Sequence, residues 1–543
     1  LIFRIPENHI SNRQFNIQGV DMKRVYFYCI MLYAGASMLL AGCAKPYDII
    51  ISGGTVIDGT GSGRFSANIG IKDGVINKVG DIDENDGAAV IDARNRIVAP
   101  GFIDMHTHSD RDVRDQERKS ALNYLAQGVT TMVTGNCGGG TYNVGEFYDL
   151  LETQGVGTNI VHLVGHGTVR SDVTGNEDRQ PTDAELNEMK NLVEKAMKEG
   201  AAGMSSGLFY APGSYAETDE IVQLAEVVGR YGGFYASHIR DESNYTIGLQ
   251  NSISEAIEVG EKAGIPVQIS HIKALGKPVW GQAEEVCRLI ESAHDRGVTV
   301  YADQYPYNAS STSLGAAVVP RWVQAGGKMR ERLTDPDQLP GIKREIADNI
   351  ERRGGPETLV VSSYAQNSDY EGKSLQEISG ILRKTPLDTA IELVLNGGPG
   401  IISFNMTEED VEYFMRKPYV MTGSDGSVPE FGRSVPHPRS YGTFTRKIRM
   451  YVHEKQVITM EQAVRAASGL PGEMLGFANR GLIKEGYAAD IIIFDPETIR
   501  DEATFEQPHQ YSNGIDFVIV NGVPVIVHGE YNGGLAGKPL RRQ

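Results

Sequence analysis

Residues 101–110 read GFIDMHTHSD. Phe102, Ile103 and Met105 are the residues of a short buried strand, and His106 and His108 follow them directly. Residues i and i+2 of a strand share a face, so both imidazoles are expected to point to one centre. An HxH pair by itself also fits satisfied structural histidines. Seven further segments of the same design decide the matter: VTTMVTGNCG (129–138), NIVHLVGHG (159–167), AAGMSSGLFY (201–210), GFYASHIR (233–240), PVQISHIK (266–273), TVYADQYPY (299–307) and YVMTGSDG (419–426). Most join a short apolar run to polar residues such as His, Cys or Asp at or near its end.

Amphipathic stretches separate these segments. TDAELNEMKNLVEKAMKEG (182–200) is one, with Thr182 or Asp183 as its cap, and SISEAIEVGEKAG (252–264) is another. Strand and helix alternating in this way spell βαβ units. Eight units predict an α/β protein built on a closed (β/α)8, TIM-like barrel of about 250 residues plus additions, with its chemistry at the C-terminal strand ends. We assign residues 99–476 to the barrel, including an insertion at about 316–385 that covers the mouth. Residues 44–98 and 477–543 carry β-branched alternation and an Asn521-Gly522 hairpin signal. They are expected to form one small β-sandwich from both termini.

The N-terminal region reads as a targeting segment. Met22, Lys23 and Arg24 precede a short apolar run from Val25 to Leu40, then small residues and Cys43. Leu40-Ala41-Gly42-Cys43 resembles the lipobox of bacterial lipoproteins, which implies a signal peptide over 22–43, cleavage before Cys43 and a lipid on its sulfur. The expected location is the bacterial cell envelope, facing the periplasm, with membrane contact only through Cys43. An uncleaved transmembrane anchor is the other reading. Residues 1–21 carry no starting Met and read as an upstream artefact, with the start at Met22. The formal net charge of −18 and the lack of a dense basic run exclude nucleic acid as a partner.

Six side chains at the strand ends are metal-ligand types: His106, His108, Cys137, His238, His271 and Asp425. Imidazole, thiolate and carboxylate are zinc donors. Residues so distant in sequence converge only if the strands close into a barrel. For Cys137 alone, simple packing is the competing reading.

Asp104-Met105-His106-Thr107-His108 after Ala99-Pro100-Gly101 resembles the first-strand motif of the amidohydrolase superfamily. Gly135-Asn136-Cys137-Gly138, Ser237-His238, Ser270-His271-Ile272-Lys273 and Gly423-Ser424-Asp425-Gly426 resemble its D-aminoacylase (N-acyl-D-amino-acid deacylase) branch. The match runs from about Tyr47 to Leu540. Many relatives bridge two metals with a carboxylated lysine after the fourth strand, but AAGMSSGLFY has no lysine, and Cys137 is the candidate replacement. The resemblance implies a tight zinc site at Cys137, His238 and His271. It also implies a weaker second site at His106, His108, Cys137 and Asp425.

Zinc lowers the pKa of bound water to near 7 and polarises a carbonyl. Asp425 is then the expected general base and acid, taking the water's proton and delivering it to the leaving amine. A turn residue in Ser-Asp-Gly is the alternative for Asp425. By resemblance, Lys273 and Tyr305 bind the substrate α-carboxylate with Ser311 nearby, and Arg439 is a further pocket candidate. Arg240, two residues after His238, either reaches the pocket or pairs with Asp241 and Glu242. His166 either lines the pocket or satisfies a core hydrogen bond. The expected substrate is an N-acyl-D-amino acid or a short peptide. The rivals are a dipeptidase releasing a D-residue, a cyclic-amide hydrolase such as a dihydroorotase or hydantoinase, and a silent envelope-binding lipoprotein.

Overall fold

Eight parallel strands form the central sheet: β1 (Phe102–Asp104), β2 (Val129–Thr134), β3 (Asn159–Gly165), β4 (Gly203–Gly207), β5 (Phe234–His238), β6 (Val267–Ile269), β7 (Val300–Gln304) and β8 (Val420–Thr422). The computed structural model describes residues 45–542, so the leader at 22–43 with Cys43, and residues 1–21, lie outside the described residues. Each strand falls inside one of the eight segments quoted above, and sheet neighbours are sequence neighbours. β1 and β8 meet just past their ends. Thr107 and Gly426 form a parallel bridge, the His108 N–H donates to Gly426 O at 2.7 Å, and the Asp425 N–H donates to His106 O at 2.7 Å. These bonds close a (β/α)8, TIM-like barrel.

Period-two alternation divides the strand residues into two layers. Phe102, Met132, Ile160, Val164 and Tyr235 pack outward with the helices. Ile103, Val133, Val161, Leu163, Phe234 and Ala236 fill the interior, where Leu470, Met474 and Leu475 join them. Burying one such side chain contributes roughly 1.5–3 kcal/mol. The C-terminal mouth is left polar.

Between β3 and β4 runs helix α1 (Asp183–Lys198). Its buried Met189, Val193, Ala196 and Met197 form one face at helical spacing. Thr182, not Asp183, is the cap. Its hydroxyl accepts from the Glu185 N–H, and the Glu185 carboxylate accepts from the Thr182 N–H at 2.7 Å.

Two sheets form the β-sandwich. One has four strands drawn from residues 47–92, and the other pairs Ile97–Pro100 with Ile491–Phe494 from the far end of the chain. Ile49, Ile51, Ile69, Val98, Ile491, Ile493 and Phe517 form the core between them. Residues 536–542 leave the sandwich. Leu540 N donates to Ile160 O at 2.8 Å and Arg542 N to Gly200 O at 3.1 Å, so the tail lies at the N-terminal end of the barrel.

The insertion is longer than 316–385. It opens with Ser310–Ser313 and ends with Gly400–Ser403, two strands that pair with each other, and Gly400–Ser403 also pairs with Leu359–Ser363. Ser310–Ser313 is polar throughout and carries no hydrophobic alternation, so nothing in its pattern marks an element. The insertion has its own core of Leu314, Val318, Ile346, Leu359, Ile378 and Ile401, against which helix α2 (Leu339–Arg352) packs.

Removing the α1 cap tests this local reading. Thr182→Ala is expected to lower stability by about 1 kcal/mol, read as a shift in the urea midpoint, with the cluster at the barrel mouth untouched.

Candidate metal centre

The cluster forms where the backbone leaves extended geometry. Cys137, His271 and Asp425 have φ of +51°, +37° and +52°. Left-handed geometry costs an L-residue roughly 1–3 kcal/mol and collects at functional sites. At His271 it decides the side chain's direction. Val267 and Ile269 face the outer layer, and period-two parity would send His271 with them. The turn after Ile269 instead brings His271 to the barrel axis.

The donor atoms are close together. Cys137 Sγ lies 3.3 Å from His106 Nε2, 3.5 Å from His238 Nδ1 and 3.6 Å from His271 Nε2. His271 Nε2 and His238 Nδ1 are 2.8 Å apart. Asp425 Oδ1 is 3.0 Å from His108 Nε2 and 3.6 Å from His106 Nε2. Three overlapping sets, His106–His108–Cys137, Cys137–His238–His271 and His106–His271–Asp425, each keep their donors within 4.8 Å of one another. All six residues singled out in the sequence meet here.

The ring nitrogens that face away from the cluster look toward carboxylates. His106 Nδ1 is 3.4 Å from Asp303, and His271 Nδ1 is 3.1 Å from Glu242. Carboxylates behind histidines are the usual support of a metal ligand. The Lys273 ammonium lies 2.5 Å from Glu242 Oε1 and 2.7 Å from His271 Nδ1. Arg439, at the start of helix α3 (Arg439–Arg446), lies 2.8 Å from Asp425 Oδ2.

Burial pushes the Cys137 thiol well above its ordinary value, and Asp425 adds to this. Burial also drives His238 well below the usual histidine range. For Asp425 burial acts upward, but the Arg439 charge, the His271 charge and the His108 hydrogen bond together hold it well below the carboxylate range. Glu242 behaves likewise, with Lys273 the leading counterweight to burial.

A cavity of about 370 Å³ opens over the cluster, and Lys273, Tyr305, Ser311 and Arg439 line it. Two of the substrate-pocket candidates singled out in the sequence do not. Arg240 forms an ion pair with Glu255 at 2.7 Å and donates to the carbonyls of Ser214 and Ala216. The strand has ended at His238, so period two no longer carries Arg240 inward, and its partner is neither Asp241 nor Glu242. His166 is fully buried, its Nε2 faces Glu220 at 2.8 Å and its Nδ1 has no hydrogen-bond partner among the described residues, so it belongs to the core and not to the cavity lining.

Three residues escaped the sequence reading. In the sequence Glu242 reads only as an ion-pair partner for Arg240, and Arg353, within the expected insertion, is not singled out. Asp303 carried a usable signal, because it is a carboxylate inside a strand segment that opens with Val300, Tyr301 and Ala302.

The description "Amidohydrolase family" matches residues 89–317 and 409–526. The two stretches leave out most of the insertion and carry every side chain of the cluster. The chain belongs to the amidohydrolase family. Among amidohydrolases it is 34% identical over 522 residues to the D-aminoacylase of Alcaligenes xylosoxydans xylosoxydans, covering 92% of this chain and 98% of that protein. It is 33% identical over 500 residues to the N-acyl-D-aspartate deacylase of the same organism, covering 88% and 91%. A solved D-aminoacylase structure, with a binuclear metal center, superposes with a TM-score of 0.79 at 32% identity, covering 92% of this chain and 100% of that one. The N-acyl-D-glutamate deacylase of Bordetella bronchiseptica, complexed with zinc and a phosphonate inhibitor, gives 0.78 at 31% identity, covering 91% and 99%.

The charge balance of this amidohydrolase site is testable. Glu242→Gln leaves Lys273 buried without its carboxylate, and is expected to cost about 3–5 kcal/mol of stability. A urea midpoint equal to the parent's would refute that balance.

Proposed function

We propose that this amidohydrolase is zinc-dependent and cleaves N-acyl-D-amino acids to a carboxylate and a free D-amino acid. Membership of a family of carbon–nitrogen hydrolases and similarity to deacylases of D-amino acids support the reading. The observation that carries it is the convergence of one thiol and three imidazoles on a single point.

The donor set suits zinc. Zn–S near 2.3 Å and Zn–N near 2.0–2.1 Å give tetrahedral edges of about 3.3–3.6 Å between donors. The three Cys137–His distances fall in that range, while the His238–His271 pair is closer. Cys137, His238 and His271 would hold the tighter ion, and His106, His108, Cys137 and Asp425 a weaker second one. Zinc bound there would polarise the amide carbonyl and acidify water.

Asp425 supplies proton transfer. Its carboxylate is ionised and held between His108 and Arg439. It takes the proton of the attacking water as the new C–O bond forms, and returns it to the amine as the C–N bond breaks. The Tyr305 hydroxyl is buried without a partner among the described residues, and its ring is flanked by Lys273 at 5.8 Å and Arg439 at 4.9 Å. This arrangement suits the substrate α-carboxylate, with Ser311 as a further donor. Arg240 and His166 have no part in it.

A panel of paired N-acetyl-D- and N-acetyl-L-amino acids, assayed with zinc and after chelation, tests the proposal. Turnover is expected for the D-series and only with metal. Equal turnover of both enantiomers, or full activity after chelation, would overturn it. Asp425→Asn is expected to lower kcat by about 10²–10⁴-fold while zinc remains in the tighter site by metal analysis. Near-parental turnover would remove Asp425 from the proton transfer. We also propose, from the sequence alone, that Cys43 carries a lipid anchor at the envelope. Cys43→Ser should then move the protein from the membrane to the soluble fraction.

A further inference from the structure

Three cations line the active-site cavity, and two of them are neutralised. Lys273 lies against Glu242 and Arg439 against Asp425. The third is Arg353, at the C-terminal end of α2 and 2% exposed. Its Nε donates to Tyr245 Oη at 2.7 Å. With the Asn405 amide turned so that its oxygen faces the guanidinium, Nη1 donates there at 3.3 Å. Both partners are neutral, and among the described residues no carboxylate pairs with Arg353.

A buried charge without a counter-ion is costly, and the surroundings deepen the deficit. Arg321 stacks 3.8 Å from the Phe209 ring, a wall of the same cavity, and its Nη2 is buried without a partner among the described residues. The two guanidinium groups share the Tyr245 ring, at 4.8 and 5.9 Å. Asp241, the acid that bears on Arg321, has its oxygens taken by the N–H groups of Ser243, Thr246 and Gly248.

Arg353 also sits beside the loop that carries Lys273. Gly276 has φ of +86°, and a Cβ there would lie 2.3 Å from Arg352 O. This contact brings the insertion against the loop after β6.

We propose that Arg353 determines specificity by taking a carboxylate on the substrate's amino-acid side chain. The enzyme then selects N-acyl derivatives of acidic D-residues. The proposal rests on the deacylase reading above, in which Tyr305 and Lys273 take the α-carboxylate and leave Arg353 for a second one. Phe209 and Leu275 are apolar walls for the intervening methylenes. An arginine offers two parallel donors that match a carboxylate, and a neutral side chain would leave them unpaired.

The test compares N-acetyl-D-glutamate with N-acetyl-D-leucine on the zinc-loaded enzyme, its Arg353→Met variant and its Arg353→Lys variant. The parent is expected to favour the glutamate substrate by about tenfold or more in kcat/KM. Arg353→Met should bring that ratio toward one, chiefly through KM, and Arg353→Lys should keep part of it. A parent that prefers leucine, or a variant that loses equally on both, overturns the proposal. Calorimetric binding of free D-glutamate and D-leucine reads the same contact without turnover. Tighter D-glutamate binding, lost in Arg353→Met, with no amide hydrolysed would keep the carboxylate site and overturn the deacylase reading. Turnover of D-substrates with no acidic preference would do the reverse. If Arg353→Met does not fold, the parent's preference and the lysine variant still decide.

Discussion

The Asp104 carboxylate accepts the N–H of His106 at 3.0 Å and the N–H of Ser424 at 2.9 Å. One side chain thus ties the end of β1 to the end of β8, next to the Asp425–His106 backbone bond that closes the sheet. Barrel closure and assembly of the site are the same event. His106 and Asp425 lie more than three hundred residues apart in the chain and become neighbours only through this seam. Asp104 itself is fully buried, and burial pushes it up to about 7 despite its hydrogen bonds. The seam is therefore held by a group that the interior does not favour as an ion.

Three buried acids at the mouth of the barrel follow one rule: each faces a base. Glu242 meets Lys273 and His271, Asp425 meets Arg439 and His108, and Asp303 meets His106. Buried pairs of this kind add little net stability over an apolar core, but breaking one is expensive. They hold orientation, which a metal site needs of its ligands and of the groups behind them. Arg353 departs from the rule, and the departure is what links the insertion to substrate choice.

Much of the site was legible in sequence because β-strands have a simple period and end in polar residues at a fixed edge of a barrel. His238 is the clean case: Phe234, Ala236 and His238 share one face, and the first two line the interior. His271, Cys137 and Asp425 were named from the chemistry of their side chains, but their directions come from left-handed backbone, which no periodicity encodes. The same limit explains Arg240. Two residues past the strand the period has lapsed, and the side chain turns to Glu255.

By itself the sequence determined the alternation of strand and helix, the eight strand segments, the sandwich drawn from both termini and the six metal-ligand types. These follow from local patterns of two and 3.6 residues and from side-chain chemistry. The tertiary structure alone decided which charges meet. Glu242 became the partner of Lys273, His166 that of Glu220, and Arg353 has no carboxylate partner among the described residues. The polar strand Ser310–Ser313 became an edge of the insertion only through its pairing with Gly400–Ser403. Pairing across long stretches of chain depends on distance and dielectric in the folded state, and a linear order of residues carries neither.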